Sequence, residues 1–266
     1  MHAIFWVVIA LAVNTSAFAQ SERMVEIPSR GQNVRALLIM PDNPVGSVIL
    51  LAGGHGKLDI APNGTIGWGR GNQLVRTRAA YAAAGFITMV PDIAPDLKTS
   101  MGVVQGYRYG DPHARDIGAI VAYLRRMKAP VVLAGTSRGS VSASNAAARL
   151  SGAQRPDALA LTAPMLVTVP GAPSVQSAAG NDPGRLKLPM LVVGHRKDAC
   201  RYTLPASITT FKIWYAADGG TFDTVLLDGP EGSGDPCEAR AAHGFAGIDG
   251  QVVAAVTGWI RKKNLR

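Results

Sequence analysis

The sequence predicts an α/β protein with a mostly parallel central sheet and helices on both of its faces. Short β-branched runs alternate with segments of helical periodicity, as a parallel sheet requires. The run at residues 131–134 is apolar at every position, which is typical of a strand covered on both faces. The 266 residues are 47% hydrophobic and 17% charged, and no repeat or linker divides them. We therefore expect one domain with a large core.

The N-terminal segment predicts export. Residues 3–13 are all apolar, but they supply only about half of the roughly 20 residues that span a bilayer. Ala17, Phe18 and Ala19 follow, and small residues on both sides of a variable residue are typical of a signal-peptide cleavage site. We expect a signal peptide over residues 1–19, a mature domain over 20–266, and a periplasmic or secreted location. No Lys or Arg precedes the apolar run, so a buried strand or an uncleaved anchor is the alternative.

The first half of the mature chain contains four predicted strands and one predicted helix. The strands are β-branched runs at residues 24–27, 34–40, 47–51 and 86–90, and the last of them ends at Pro91. The helix covers residues 72–84.

The second half alternates helices and strands. Asp111 and Pro112 supply an N-cap and a first-turn proline. Apolar residues recur behind them at helical spacing, at Ile117, Ile120, Val121, Leu124 and Met127. The strand at 131–134 precedes a small-residue helix at 140–150 that suits close packing on a sheet. Further strands are predicted at 159–161, 190–193 and 222–227, and an amphipathic helix at 251–260.

The charge pattern predicts no nucleic-acid partner. The 27 Lys and Arg outnumber the 18 Asp and Glu, for a formal net charge of +9. Basic clusters at 125–128 and 261–263 lie at the ends of predicted helices, where cations favour the helix dipole. No zinc-finger spacing or aromatic–basic RNA motif accompanies them. Clusters of His, Cys and Asp at metal-ligand spacing are also lacking, so we expect neither a metal nor a cofactor.

Gly135, Thr136, Ser137, Arg138 and Gly139 form a G-x-S-x-G pattern between a predicted strand and a predicted helix. In that setting a sharp turn holds the serine in a strained conformation. A Cβ atom at either glycine would collide with the neighbouring strand and helix. Ser137 is therefore the candidate nucleophile, and a plain helix N-cap is the alternative.

With this motif the chain resembles the α/β-hydrolase superfamily over nearly all of its mature sequence. It is most similar to small single-domain bacterial esterases and dienelactone-hydrolase-like proteins. The resemblance implies an α/β-hydrolase fold. Dienelactone hydrolases proper have a cysteine where this chain has Ser137, so their activity is not implied.

The resemblance also implies a base and an acid after the serine. His243 lies after the predicted strand 222–227 and before the last helix, where the family places its base. A loop histidine without a catalytic task is the alternative. His195 lies three residues before Asp198, too near the acid to take the serine proton, so we expect it at the edge of the site at most.

Asp198 is the candidate acid, because it follows the strand at 190–193, which resembles the family's seventh core strand and acid loop. Asp182 precedes that strand, and Asp228 follows a strand that comes too late. Both suit ordinary turn carboxylates.

Two backbone donors are implied for an oxyanion hole, each contributing about 3–4 kcal/mol to transition-state stabilisation. One is the N–H of Arg138, and the other is that of Gly54 in the glycine-rich residues 52–56, for which a simple turn is the alternative. The Arg138 side chain opposes the dipole of the helix that it starts. A substrate carboxylate or an internal partner such as Asp92 would account for it.

The two cysteines are expected to pair in an oxidising compartment, with two unrelated thiols as the alternative. A Cys200–Cys237 bridge would contribute roughly 4 kcal/mol in the chain-entropy model. Cys200 lies two residues after Asp198 and Cys237 six before His243, so the bridge would tie the acid loop to the histidine loop.

Residues 165–187, where the family inserts a lid, are rich in Ala, Gly, Pro and Ser and lack helical periodicity. We therefore expect no large cap domain and an open site that suits small soluble esters. The loops at 57–71 and 99–110, with Trp68, Tyr107 and Tyr109, are expected to shape the pocket, although these aromatic residues equally suit packing.

These observations predict an exported serine hydrolase, a carboxylesterase that uses Ser137, His243 and Asp198 on a small-molecule ester. A peptidase or amidase of the same fold would share this chemistry. A catalytically silent binding protein is the alternative from another class, and the intact order of serine, aspartate and histidine argues against it.

Overall fold

The computed structural model describes residues 21–100, 102–168 and 177–265. The predicted signal peptide lies outside these ranges. Within them, no helix combines the length and the apolar character that crossing a membrane requires.

An eight-stranded sheet and a two-stranded hairpin make up the β-structure of the described residues. In chain order the strands are β1 (Glu22–Ser29), β2 (Gln32–Ile39), β3 (Gly46–Leu51), β4 (Phe86–Pro91), β5 (Lys98–Thr99), β6 (Gly102–Val103), β7 (Val131–Thr136), β8 (Ala158–Thr162), β9 (Met190–His195) and β10 (Asp223–Leu227). The helices are α1 (Gln73–Arg76), α2 (Arg78–Ala83), α3 (Asp111–Met127), α4 (Gly139–Arg149), α5 (Ala206–Ala216) and α6 (Asp249–Lys263).

The large sheet has the strand order β1-β2-β4-β3-β7-β8-β9-β10. β1 and β2 join it antiparallel, and the pairs from β4 to β10 are parallel. The register places Leu51 beside Gly135 and Thr136 beside Thr162. The carboxyl ends of β3, β7 and β8 therefore meet at one edge, which is where open α/β sheets bind ligands.

The core has two layers because alternate strand residues point to opposite faces of the sheet. Ile49 and Leu133 belong to the layer beneath α3, α4 and α5, and their neighbours Leu50 and Val132 to the layer beneath α1, α2 and α6. All four are completely buried. This two-sided burial explains why the parallel strands are continuous apolar runs, and it confirms the predicted fold class.

The prediction of one continuous helix over residues 72–84 is wrong. The chain leaves helical geometry at Thr77, where φ is −92° and ψ is 1°, and α1 and α2 lie on either side of it. The Thr77 hydroxyl donates to the Gln73 carbonyl at 2.8 Å, the kind of local side-chain bond that competes with helix formation.

Helix α5 and the β5–β6 hairpin were not predicted. Residues 206–216 contain β-branched and aromatic residues without a clear amphipathic period. Tertiary packing stabilises this helix, because Phe211 contacts Phe222 with ring centroids 5.5 Å apart and the Tyr215 hydroxyl donates to the Leu186 carbonyl at 2.7 Å. Within the helix, Phe211 also stacks on Trp214 and Tyr215, with ring centroids 5.1 and 5.8 Å apart.

The described residues of the connection between β8 and β9 contain no large cap, as predicted. They form two short 3-10 turns, at Ala178–Gly180 and Pro183–Leu186. This described part of the connection therefore adds no domain over the carboxyl edge of the sheet.

Candidate active site

Ser137 occupies the turn between β7 and α4 in a left-handed backbone conformation, with φ at +51°. Such a conformation costs a residue other than glycine of order 1–3 kcal/mol, so the surrounding structure must enforce it. The Ser137 N–H donates to the Thr162 carbonyl of β8 at 3.1 Å, which holds the turn against the sheet. This is the strained turn that the G-x-S-x-G pattern predicts.

The two glycines of the motif allow the strand, the turn and the helix to touch. A Cβ atom on Gly135 would lie 2.4 Å from the Gly139 carbonyl oxygen, and one on Gly139 would lie 2.1 Å from the Leu51 carbonyl oxygen. Both distances are far below van der Waals contact. Only glycine fits at these positions while Ser137 stays at the carboxyl edge of the sheet.

Asp198, Thr203 and His243 form a buried polar cluster at the same edge. His243 Nδ1 lies 3.2 Å from Asp198 Oδ2, and the Thr203 hydroxyl lies 2.9 Å from each of these two atoms. The N–H of Cys200 donates to the other carboxylate oxygen at 2.9 Å. The three residues are 4%, 4% and 6% exposed. An imidazole that donates its Nδ1–H to the carboxylate presents Nε2 as a proton acceptor.

Ser137 and His243 line one cavity of about 290 Å³, which we call the nucleophile cavity. Its other lining residues are Gly54, Trp68, Gly69, Gly71, Asn72, Gln73, Thr136, Cys237, Glu238, Ala239 and Gly244. Among the described residues, no hydrogen bond joins the Ser137 hydroxyl to His243. Such bonds are often long in free enzymes and tighten when substrate binds.

Gly54, in the candidate oxyanion loop at residues 52–56, also lines this cavity. Gly54 has a φ of +55°, and a Cβ atom there would lie 2.5 Å from the Trp68 ring. In the part of the chain that the structure describes, neither the Gly54 N–H nor the Arg138 N–H has a protein acceptor. Both residues are therefore able to donate a backbone hydrogen bond to a ligand.

The other acids and His195 lie elsewhere. Asp182 and Asp228 each accept from a nearby backbone N–H, at Gly184 and Gly229. His195 is buried, its Nδ1 accepts from the Lys197 N–H at 3.0 Å, and it does not line the nucleophile cavity. Burial lowers the pKa of His195, which favours its neutral form.

Arg138 lies beside a second cavity of about 320 Å³, which we call the arginine cavity. It is lined by Gly54, His55, Val103, Val104, Gln105, Gly106, Tyr107, Arg108, Arg138, Val141 and Met165. The predicted pairing of Arg138 with Asp92 is wrong, because Asp92 instead binds Lys98 at 2.7 Å and two backbone N–H groups of the loop after β3. The other alternative, a substrate carboxylate, stays a prediction.

Of the three aromatic residues in the two predicted pocket loops, two line the cavities described above and one does not. Trp68 lies in the wall of the nucleophile cavity and stacks on His55 with ring centroids 3.7 Å apart. Tyr107 lines the arginine cavity, whereas the Tyr109 hydroxyl donates to the Ser177 carbonyl at 2.6 Å. Trp68 and Tyr107 therefore shape cavities, and Tyr109 fastens the chain that follows β8.

Cys200 and Cys237 form a disulfide bond. Cys200 is buried in the acid loop, and Cys237 lines the nucleophile cavity a few residues before His243. The bond therefore connects the two loops that carry Asp198 and His243. Among the described residues, no group of His, Cys, Asp and Glu is arranged to hold a metal ion.

Sequence reasoning missed two polar residues that contact the site, Thr203 and Arg108. Thr203 is a hydroxyl in a turn-like stretch, and nothing local marks it as a partner of both Asp198 and His243. Arg108 is a lone cation between Tyr107 and Tyr109, in a segment with few other charges. That isolation was the only available signal.

The strand order, the turn at Ser137 and the open carboxyl edge define the α/β-hydrolase fold. The esterase Pf2001 of Pyrococcus furiosus superposes with a TM-score of 0.62 at 12% identity, over 91% of this chain and 92% of that one. A dienelactone hydrolase of Anabaena variabilis superposes with a TM-score of 0.60 at 16% identity, over 93% of this chain and 100% of that one.

A third similar structure is MGS-M1, an α/β hydrolase from a deep-sea metagenome of the Medee basin. Its TM-score is 0.56 at 14% identity, over 80% of this chain and 84% of that one. A scan against protein-family models and a search of curated proteins find no match. At these identities the structural similarity establishes the fold.

Proposed function

We propose that the protein is an exported serine hydrolase that cleaves small soluble carboxylic esters. The observation that carries this proposal is that the buried Asp198–His243 pair opens on the cavity that contains Ser137 in its left-handed turn. The esterases and the dienelactone hydrolase of the same fold support the reaction class. The disulfide supports an oxidising location, as the predicted signal peptide requires.

In the proposed reaction Ser137 Oγ attacks the ester carbonyl carbon while His243 Nε2 takes its proton. Asp198 holds the imidazole through Nδ1 and stabilises the imidazolium that forms. The N–H groups of Gly54 and Arg138 bind the oxyanion of the tetrahedral intermediate. The intermediate expels the alcohol, which receives the proton from His243. Water activated by His243 then hydrolyses the acyl-enzyme and frees the acid.

The proposal is tested with a fluorophosphonate probe and with p-nitrophenyl acetate and butyrate. We expect the wild-type chain to be labelled at Ser137 and to hydrolyse both esters. Ser137→Ala should abolish labelling, and His243→Ala should lower kcat by about 10³-fold or more, because the hydroxyl loses its base. Parallel assays on peptide p-nitroanilides separate an esterase from an amidase.

A folded wild-type chain that neither reacts with the probe nor hydrolyses any of these substrates would instead indicate a binding protein. Asp228→Asn is the matched control, because this carboxylate only caps a surface turn and its removal should leave both rates unchanged. N-terminal sequencing of the chain from an expressing cell tests export, for which we expect a mature start at Gln20.

A further inference from the structure

Arg108 is a buried cation that contacts the candidate oxyanion loop from the side of the arginine cavity. Only 7% of the residue is exposed, and it has no carboxylate partner among the described residues. Its Nη2 lies 3.0, 3.3 and 3.2 Å from the carbonyl oxygens of Ala52, Gly53 and Gly54, and its Nη1 lies 2.7 Å from the Ser142 hydroxyl in α4. A buried charge without a counterion is costly, so these bonds are needed to compensate it.

The direction of these bonds sets the direction of the loop's amides. A trans peptide points the C=O of one residue and the N–H of the next to opposite sides. Arg108 holds the Gly53 carbonyl on its own side of the loop, and it lines the arginine cavity and not the nucleophile cavity. The Gly54 N–H therefore points away from Arg108, and Gly54 also lines the nucleophile cavity.

We propose that Arg108 is the positioning residue of the oxyanion hole, which it acts on through the loop rather than through the substrate. Its Nη2 holds the loop that carries the Gly54 donor, and its Nη1 holds α4, the helix that follows the Arg138 donor. One rigid guanidinium therefore fixes the spacing between the two amides. This inference rests on the proposed function.

The space around the guanidinium leaves little freedom. A Cβ atom on Gly56 would lie 2.4 Å from Arg108 Nη2. Ser142, which accepts from Arg108, also lies 3.0 Å from His113 Nε2. Burial lowers the pKa of His113 to about 3, so this ring is neutral and adds no second charge beside Arg108.

The test compares Arg108→Met, which keeps the length of the side chain without its charge or donors, with Arg108→Lys. Rates on p-nitrophenyl butyrate are divided by the number of sites that the fluorophosphonate titrates, so that misfolded protein does not count. For Arg108→Met we expect kcat to fall about a hundredfold and KM to stay within about threefold, because an oxyanion donor acts mainly in the transition state. The rate of fluorophosphonate inactivation should fall in parallel.

The kcat of Arg108→Lys should fall at least about tenfold, because one ammonium group cannot hold the loop and α4 at the same time as the two guanidinium nitrogens do.

Arg125→Met in α3 is the matched control. Arg125 also donates to backbone carbonyl oxygens, at Ala153 (3.2 Å) and Arg155 (2.7 Å), but these lie in the connection between α4 and β8 and line neither the nucleophile cavity nor the arginine cavity. We expect its kcat per titrated site to stay within about threefold of wild type.

The proposal is overturned if kcat per titrated site of Arg108→Met stays within threefold of wild type, or if only KM changes. If Arg108→Met does not fold, Arg108→Lys decides by the same criteria. A wild-type chain that does not react with the fluorophosphonate overturns the proposed function together with this inference. A wild-type chain and an Arg108→Met variant that react at the same rate overturn this inference alone.

Discussion

At Gly139 the absence of a side chain lets the first turn of α4 contact the end of β3. Because a Cβ atom would lie 2.1 Å from a backbone carbonyl oxygen, the strand and the helix would have to separate to admit one. Gly139→Ala should therefore lower the free energy of unfolding by about 3 kcal/mol, at the upper end of typical overpacking effects. The measurement is urea-induced unfolding, followed by circular dichroism.

Gly258 in α6 provides the control for this substitution. It is an exposed helical glycine, and a Cβ atom added there would meet nothing within 4 Å. Gly258→Ala should raise the free energy of unfolding by about 0.5–1 kcal/mol, because alanine loses less backbone entropy in a helix. Equal effects of the two substitutions would contradict the steric explanation of the motif.

At the scale of elements, the site depends on two loops at the carboxyl ends of β9 and β10. The loop after β9 carries Asp198 and Thr203, and the chain between β10 and α6 carries His243. The disulfide is the covalent connection between these loops. It therefore acts on stability and on the placement of Asp198 relative to His243.

The double variant Cys200→Ser, Cys237→Ser should lose about 2–4 kcal/mol of unfolding free energy, because its unfolded chain is no longer constrained. Its kcat on p-nitrophenyl butyrate should fall by about 10- to 100-fold, since small displacements of catalytic groups are costly. Thermal unfolding and steady-state kinetics at a temperature where both proteins are folded measure these changes. Unchanged activity and an unchanged Tm would refute the role of the bond.

At the scale of the whole molecule, buried His113 couples folding to pH. Its pKa is lowered to about 3, first by burial and then by Arg108 and Arg30, whereas the same side chain in the unfolded chain has a pKa of about 6.5. Between these values the unfolded state binds the proton and the folded state does not. Stability therefore falls as the pH drops below about 6.5, and the loss is complete near pH 3.

His113→Gln removes this titration while keeping a polar group near Ser142. Between pH 7 and pH 5 the unfolding free energy of the variant should fall by about 1–2 kcal/mol less than that of the wild type. Urea unfolding at the two pH values measures the difference. If both proteins lose the same free energy, His113 is not a source of the acid sensitivity.

Local patterns were sufficient to predict much of the sheet. The runs at 47–51, 86–90, 131–134 and 190–193, which are apolar except for Ser47 and Thr88, all lie within strands, because a strand covered on both faces is apolar at most positions. The predicted helix over 72–84 failed at Thr77, where a hydroxyl bond competes with the helix. Helix α5 was missed because its aromatic residues are stabilised by partners in other parts of the chain.

The sequence by itself determined the fold class, the turn at Ser137 and the order of serine, aspartate and histidine, because these follow from periodicity and from residues adjacent in the chain. Only the tertiary structure showed that Thr203 joins Asp198 to His243, and that Arg108 joins the loop after β3 to α4. Such bonds connect residues far apart in sequence. Their partners are selected by the packing of whole elements, so no local pattern encodes them.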